Sequence, residues 1–556
     1  MSTLSLPDST ADGQARAEAL DRRHRPDVEP ASMVSYVSHG RVLVIGDEAR
    51  ALEAVDRLDE ELIPTLFLPA DKPPATSTVD GLTVVRGGQP QLEGSLGNFR
   101  IGLVDPGNDN EAAAVTLLTQ ARFDLVLDLG NPPLMRQEVP PPGYYAPGTD
   151  AEALEKAIDE LPEMRGEFEK PKFFNYDPDI CAHGRRGIKG CTRCLEVCPA
   201  WAITSIGELV SINPNLCQGF GSCAAVCPTG AITYAFPSTG DLLGYLHTVL
   251  ERYREVGGSD PVLVFFDNAS SDLLVDDVAA ALPENALPVE LEEIGSLGMD
   301  AWLACLAYGA RRVLVLAGPE TPPGIAEMLG REIGVTAAIL EGMGYAGDVV
   351  QVLDAADAGA VAAAAQSGPA LSLEQSARFA PPPEKRLLLR TAINFLLEHA
   401  PGGKKVAQLP AGSPFGQVKV DRAACTLCMS CVAVCPTSAL REGQGLPQLN
   451  FVERSCVQCG MCEKACPEDA VSLEPRFLYN DKERGKQRLL YEEQPACCIS
   501  CGKPFATRSM LKVMAKKLED HWMFQGDAER RRLEMCEDCR VRDRMRSELG
   551  GGPPQS

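Results

Sequence analysis

Twenty of the 21 cysteines fall into three blocks, at 181–227, 425–466 and 497–539. Cysteines grouped this tightly, in a reducing compartment, argue for metal ligation rather than disulfides. The middle block is the most regular. Cys425, Cys428, Cys431 and Cys435, followed by Pro436, read C-x₂-C-x₂-C-x₃-C-P, and Cys456, Cys459, Cys462 and Cys466, followed by Pro467, repeat it. Three thiolates two residues apart wrap one face of a [4Fe–4S] cubane, while the fourth starts a turn that presents it to a neighbouring cubane. On this crossover Cys425, Cys428, Cys431 and Cys466 hold one cluster, and Cys456, Cys459, Cys462 and Cys435 hold the other. Zinc sites or reduced structural thiols are the alternative, but zinc needs only C-x₂-C pairs and has no use for the x₃-C-P extension.

The first block departs from this pattern twice. Nine residues separate Cys181 from Cys191, before Cys194, Cys198 and Pro199 resume regular spacing. The extra residues can loop out, and Cys181 returns as a ligand. In the second half, Cys217, Cys223, Cys227 and Pro228 are regular, but Phe220 stands where a second cysteine belongs. The crossover then gives Cys181, Cys191, Cys194 and Cys227 a complete set. Only Cys217, Cys223 and Cys198 remain for the other site. Three thiolates suit a [3Fe–4S] cluster, or a [4Fe–4S] cluster with a labile fourth ligand, or an empty site. His183 lies in the Gly/Arg-rich insertion and reads as a solvated residue rather than a ligand.

The third block pairs Cys498-x₂-Cys501 with Cys536-x₂-Cys539 around a helical stretch, Ser509 to Phe524. Two such knuckles suit a closed, structural Cys₄ zinc site; a further Fe–S cluster or unmetallated thiols are the alternatives. Cys497 is adjacent, but its spacing to Cys501 is one residue too long. Cys305, alone in an apolar helix, reads as a small core residue. No nucleophile elbow, P-loop or H-E-x-x-H occurs, and the six histidines are scattered. No catalytic constellation is visible, so the chain reads as an electron-transfer component rather than a catalyst by itself.

These sites need elements to position them. The 556 residues allow roughly three to five domains. Residues 1–35 are polar, without the apolar core of a signal peptide, and read as disordered. Within an α/β domain expected over 36–147, residues 41–130 alternate short apolar runs with helical stretches, as in Arg41–Gly46, Thr65–Leu68, Leu82–Val85 and Asp124–Leu129. That alternation implies a mostly parallel sheet. No G-x-G-x-x-G follows its first strand, so it reads as structural or docking rather than nucleotide-binding. A proline-rich connection, Asn131 to Pro147, ends it. The first cysteine module occupies 175–236, and a second α/β domain 238–365. A Ser/Pro linker over 366–383 and an amphipathic helix over 384–399 lead to the second module at 416–475. A zinc-ribbon-like domain at 490–543 and a disordered tail at 544–556 complete the chain. Four Cys-Pro-x-x-Ala-aliphatic segments, beginning at Cys198, Cys227, Cys435 and Cys466, occur in two pairs. The repeating unit is therefore a pair of motifs, used twice. A formal charge of −24 makes nucleic acid an unlikely partner. No apolar run reaches eighteen residues, so no membrane span is expected. The chain reads as cytoplasmic.

The 425–466 block resembles the bacterial dicluster ferredoxin family at every ligand position, and the 181–227 block resembles it less fully. The resemblance implies two small β-α-β modules and one-electron transfer. Residues 261–355, particularly Gly309-Ala310-Arg311-Arg312-Val313-Leu314-Val315-Leu316, resemble the delta subunit of methyl-viologen-reducing hydrogenase. That subunit has cysteines for its own cluster, and Cys305 alone does not supply them. The wide gap from Cys181 to Cys191 and the stretch Phe123 to Tyr145 resemble large 4Fe–4S proteins of bacterial formate dehydrogenase neighbourhoods. The implied role is an iron–sulfur relay beside a cytoplasmic oxidoreductase, with formate dehydrogenase the candidate partner. A subunit of a flavin- or quinone-linked reductase, and a maturation factor for a molybdenum oxidoreductase, are the alternatives. Expected cofactors are three [4Fe–4S] clusters, a further [3Fe–4S] or [4Fe–4S] cluster at the three-cysteine site, and zinc.

Overall fold

The computed structural model of the chain describes residues 6, 8–21, 28–104, 122–273 and 278–548. Where disorder is expected at the N-terminus, the described residues form a helix, Ala11–Ala19, capped by Thr10. Its small face, Ala15 and Ala19, is buried in the same core as helix Thr239–Glu255. Arg16 is buried too, and Nη1 donates to the carbonyls of Pro283 and Ala286, each at 3.2 Å. Alanines four apart form a shallow stripe that a low-hydrophobicity segment conceals from pattern reading. The strand Met33–Ser38 then pairs antiparallel with Gly166–Pro171.

The first sheet has the order 70–79, 82–93, 63–68, 41–45, 125–128, 144–145, with 100–104 also against 82–93. Its pairings are parallel from 82–93 across to 144–145, and antiparallel for 70–79 and 100–104. Central strands such as Arg41–Ile45 and Leu125–Asp128 are buried on both faces, which explains their continuous apolar runs. The proline-rich connection is built into this sheet. Tyr144–Tyr145 is its edge strand, and the Tyr144 hydroxyl donates to Asp128 Oδ2 at 2.6 Å.

The second α/β unit is a four-stranded parallel sheet in the order 286–290, 262–266, 312–317, 350–354. Helix Met299–Ala307 is buried along its whole length, with Cys305 and Trp302 at 0% exposure. The Ser/Pro stretch at 366–383 is not a free linker. Leu371 and Ala377 are buried, and their N–H groups donate to the carbonyls of Arg311 and Ala307. The following helix is Lys385–Glu398, with Leu388, Leu389, Ala392, Ile393 and Leu396 turned inward.

Each cysteine module is a pair of antiparallel strand pairings around short helices. In the first, Phe174–Tyr176 pairs with Ile232–Tyr234, and Ile203–Ile206 with Leu209–Ile212. In the second, Gly416–Val420 pairs with Val471–Leu478, and Leu440–Glu442 with Gln448–Phe451. The modules are not strung on free linkers. Val197, Ala225 and Val226 of the first, and Phe477 and Tyr479 beside the second, belong to the core of the second α/β unit.

One ion pair fixes the entry to the Cys456 loop. Arg476 donates through Nε (3.0 Å) and Nη2 (2.6 Å) to Glu453, whose side chain is only 6% exposed. Truncating one partner of a buried pair costs about 3–5 kcal/mol, because the other charge stays buried. Arg476→Ala is therefore expected to lower the denaturant midpoint of unfolding markedly, with Arg488, 3.7 Å from Glu453, a weak substitute. An unchanged midpoint would show that Glu453 is satisfied without Arg476.

The C-terminal region is a hairpin, Pro495–Cys497 with Pro504–Thr507, and helices Arg508–Lys517, Asp527–Arg532 and Glu537–Glu548. The disorder expected from 544 gives way to helix as far as Glu548, and 549–556 lie outside the described residues. Among the described residues no helix is long and apolar enough to cross a membrane.

Candidate iron–sulfur and metal centres

The cysteine loops share a backbone device. Left-handed residues precede and follow the second ligand position in three of them: Leu427 and Met429, Gln458 and Gly460, Gly219 and Gly221. Such paired turns curl a loop so that successive side chains and N–H groups face one centre. The 217–223 loop therefore has the same curl, although Phe220 occupies its second ligand position. The Phe220 side chain packs against the core of the second α/β unit. A left-handed residue also stands three positions after the cysteine in every Cys-Pro segment: Trp201, Gly230, Ser438 and Asp469. This turn aims amides back at sulfur. Ala470 N donates to Cys466 Sγ at 3.2 Å, and Ile232 N to Cys227 Sγ at 3.5 Å.

All 21 cysteines are free thiols, and within the modules they influence one another. Burial, then the charges of Cys191, Cys227 and Cys181, push Cys194 up to about 12. Burial, then Cys217 and Cys198, push Cys223 well up. Burial, then Cys425, Cys428 and Cys466, push Cys431 up to about 12. Burial, then Cys456, Cys459, Cys431 and Cys435, push Cys462 up. Thiols crowded and buried in this way resist ionisation by themselves, and they give up their protons when a cation takes the protons' place. Sulfur-directed N–H groups stabilise that thiolate form. The donor chemistry therefore fits a thiolate-bound iron–sulfur cluster.

Several neighbours carry no spacing signal. Gln458 Nε2 donates to Cys456 Sγ at 3.2 Å. Lys170 Nζ donates to the Cys217 carbonyl at 2.6 Å from the strand before the module. The Tyr176 hydroxyl bonds to Cys181, and its own acidity falls through burial and that bond. His183 is a correction: it is 2% exposed, not solvated. Arg186 and Gly187 make a two-residue left-handed turn between strands Gly184–Arg185 and Ile188–Lys189. That hairpin turns His183 inward, where Nδ1 lies 2.8 Å from the Cys191 carbonyl and Nε2 lies 2.8 Å from Ser205 Oγ. A carbonyl only accepts, so Nδ1 carries a proton and donates to Cys191.

In the C-terminal region the ligand atoms of Cys498, Cys501, Cys536 and Cys539 all lie within 4.8 Å of one another. Cys501 Sγ and Cys536 Sγ are 3.7 Å apart. Burial opposes ionisation of Cys498, but the N–H groups of Cys536, Ser500 and Cys501 draw it down to about 6. Cys497 is exposed and stands outside the group.

Comparison with known proteins bears on the two modules. Residues 424–471 match the family model of the 4Fe–4S dicluster domain, and residues 189–236 match the LdpA Fe–S cluster-binding domain. Hydrogenase-4 component A of Escherichia coli is 39% identical over 56 residues, 10% of this chain and 25% of that protein. An uncharacterised ferredoxin of Methanocaldococcus jannaschii is 40% identical over 57 residues, 10% of this chain and 31% of that protein. The chain thus spans less than a third of the length of these relatives. It carries Fe–S-binding domains of the ferredoxin type, including a [4Fe–4S] dicluster domain, which supports an iron–sulfur electron-transfer role.

Proposed function

We propose that this chain is a multi-cluster relay that passes single electrons to or from a cytoplasmic oxidoreductase. The observation that carries the reading is the crowding of buried and half-buried thiols into neighbourhoods, each completed by a cysteine from the other half of its module. In this reading Cys425, Cys428, Cys431 and Cys466 hold one [4Fe–4S] cluster, and Cys456, Cys459, Cys462 and Cys435 a second. Cys181, Cys191, Cys194 and Cys227 hold a third. Bound clusters supply one-electron chemistry, with potentials set by burial and by hydrogen bonds to sulfur. The protein's part is to bury the thiolates and to aim Ala470 N, Ile232 N and Gln458 Nε2 at them.

Cys217, Cys223 and Cys198 hold a [3Fe–4S] cluster in this account, because Phe220 is committed to the α/β core and offers no fourth thiolate. The oxidised holoprotein is expected to show a [3Fe–4S] EPR signal, and Phe220→Cys to abolish it while adding about one iron per chain. An oxidised wild type with no such signal would reject the assignment, leaving a labile fourth ligand or an empty site.

Zinc is the proposed occupant of the C-terminal group. Zinc–thiolate bonds of 2.3 Å put tetrahedral sulfurs about 3.8 Å apart. The 3.7 Å between Cys501 and Cys536 has this scale, whereas a cubane spreads its thiolates over four irons.

A hydrogenase component among the relatives supports a redox-enzyme partner, and formate dehydrogenase is the partner that the first module's motif favours. Anaerobic co-purification from cells should recover a metal-containing oxidoreductase that re-oxidises the dithionite-reduced chain. Recovery of only an apo-enzyme would favour a maturation role instead.

A further inference from the structure

Two contact regions join the modules, and both converge on the same two thiol sets. The first is the insertion between Cys181 and Cys191. Arg185 Nη1 donates to the Cys435 carbonyl at 3.0 Å, and Lys464 Nζ donates back to the Lys189 carbonyl at 2.9 Å. Ala182, Ile188 and Cys191 pack with Val434, Val457, Cys459 and Met461 in one apolar cluster. The fit is tight: a Cβ on Gly190 would fall 2.6 Å from Met461 Cγ.

The second contact region lies at the start of helix Lys385–Glu398. Lys385 Nζ donates to the carbonyls of Ala224 (2.7 Å) and Ala225, just before Cys227. Arg386 Nη1 donates to the Pro228 carbonyl at 3.1 Å, just after it. Its Nη2 donates across the boundary to the carbonyls of Arg454 (2.7 Å) and Cys456 (3.4 Å). One guanidinium thus ties the backbone beside Cys227 to the backbone of Cys456. Carbonyls bonded to an obligate cation in a buried setting make a rigid tie.

We infer that the inserted hairpin and the Lys385–Arg386 pair form a two-sided clamp that seats the Cys181/Cys191/Cys194/Cys227 set against the Cys435/Cys456/Cys459/Cys462 set. The inference rests on the reading of these sets as cluster ligands. It makes them the inner pair of a linear array, with the three-cysteine site and the Cys425 set at its ends. The ends are distinguishable: the 217–223 loop is packed on the α/β core, whereas Cys428 is exposed. The insertion is then a positioning element, not a looped-out irregularity, and His183 holds its base against Cys191 and Ser205.

The test uses the full-length, dithionite-reduced holoprotein. Magnetic interaction between neighbouring reduced clusters broadens and splits their low-temperature EPR signals. Gly190→Glu and Arg185→Ala are expected to keep wild-type iron and sulfide yet lose part of that splitting, and Arg185→Lys to restore most of it. Hydrogen exchange gives a reading that needs no cluster: amides in 457–465 should exchange about tenfold faster in Gly190→Glu. Unchanged splitting and unchanged exchange in both variants would overturn the clamp. If Gly190→Glu fails to fold, Arg185→Ala, which removes one surface hydrogen bond, decides alone. A wild type without iron would sink the cluster reading, while protected 457–465 amides would still uphold the docking itself.

Discussion

Cys435→Ser is expected to remove the cluster whose other ligands lie downstream, not the one whose motif contains it. Cys456, Cys459 and Cys462 each feel the charge of Cys435, and Cys431 feels Cys425, Cys428 and Cys466, with Cys431 of the neighbouring set also reaching Cys462. Cys435→Ser and Cys462→Ser should therefore each lose about four irons per chain, from the same EPR signal. Cys466→Ser and Cys431→Ser should lose the other. The effect is a full cluster because a serine hydroxyl is a poor substitute for a thiolate toward iron. If Cys435→Ser and Cys431→Ser removed the same signal, ligands would be drawn from one motif and the crossover would be wrong.

Removing the metal proposed for the Cys498, Cys501, Cys536 and Cys539 group is expected to unfold the C-terminal region and leave the rest intact. The apolar cluster there is little more than Cys498, Met535 and Cys536, with Phe505 and Cys539 beside them. Helices Arg508–Lys517, Asp527–Arg532 and Glu537–Glu548 contain no buried residue. The cysteines of this group are thus most of the core, and in small metal-held domains the binding energy of the metal is the folding energy. A strong chelator, or Cys501→Ser with Cys536→Ser, should abolish hydrogen-exchange protection across 495–548. The visible iron–sulfur absorption should be unchanged. Protection that survives complete zinc loss would make the site incidental to folding, and an iron requirement would replace zinc with a cluster.

How far the sequence could be read follows from which interactions are local. Strands such as Arg41–Ile45, Val262–Phe266 and Arg312–Ala317 announce themselves because a parallel strand covered on both faces must be a continuous apolar run. The cysteine loops are legible because the cysteines of each motif lie within 18 residues of each other and repeat at fixed spacings, although the crossover ligand comes from the other motif. His183 was opaque because glycines and arginines around it describe a polar loop, and only the left-handed turn at Arg186-Gly187 reverses the chain and buries it. The leucine face of Lys385–Glu398 is visible, but the task of its first two residues is not. No local pattern marks Lys385 and Arg386, because their acceptors lie some 70 to 160 residues away. The helix Ala11–Ala19 escaped because its buried face is made of alanines and a burying arginine, neither of which raises hydrophobicity.

Metal and labile-sulfide analysis of the anaerobically purified full-length chain tests the central claim most directly. The account predicts about 15 iron atoms, nearly matching sulfide and one zinc per chain, with a brown chromophore that dithionite bleaches. Protein that is folded and anaerobic yet colourless, with zinc in the modules and no sulfide, would contradict it.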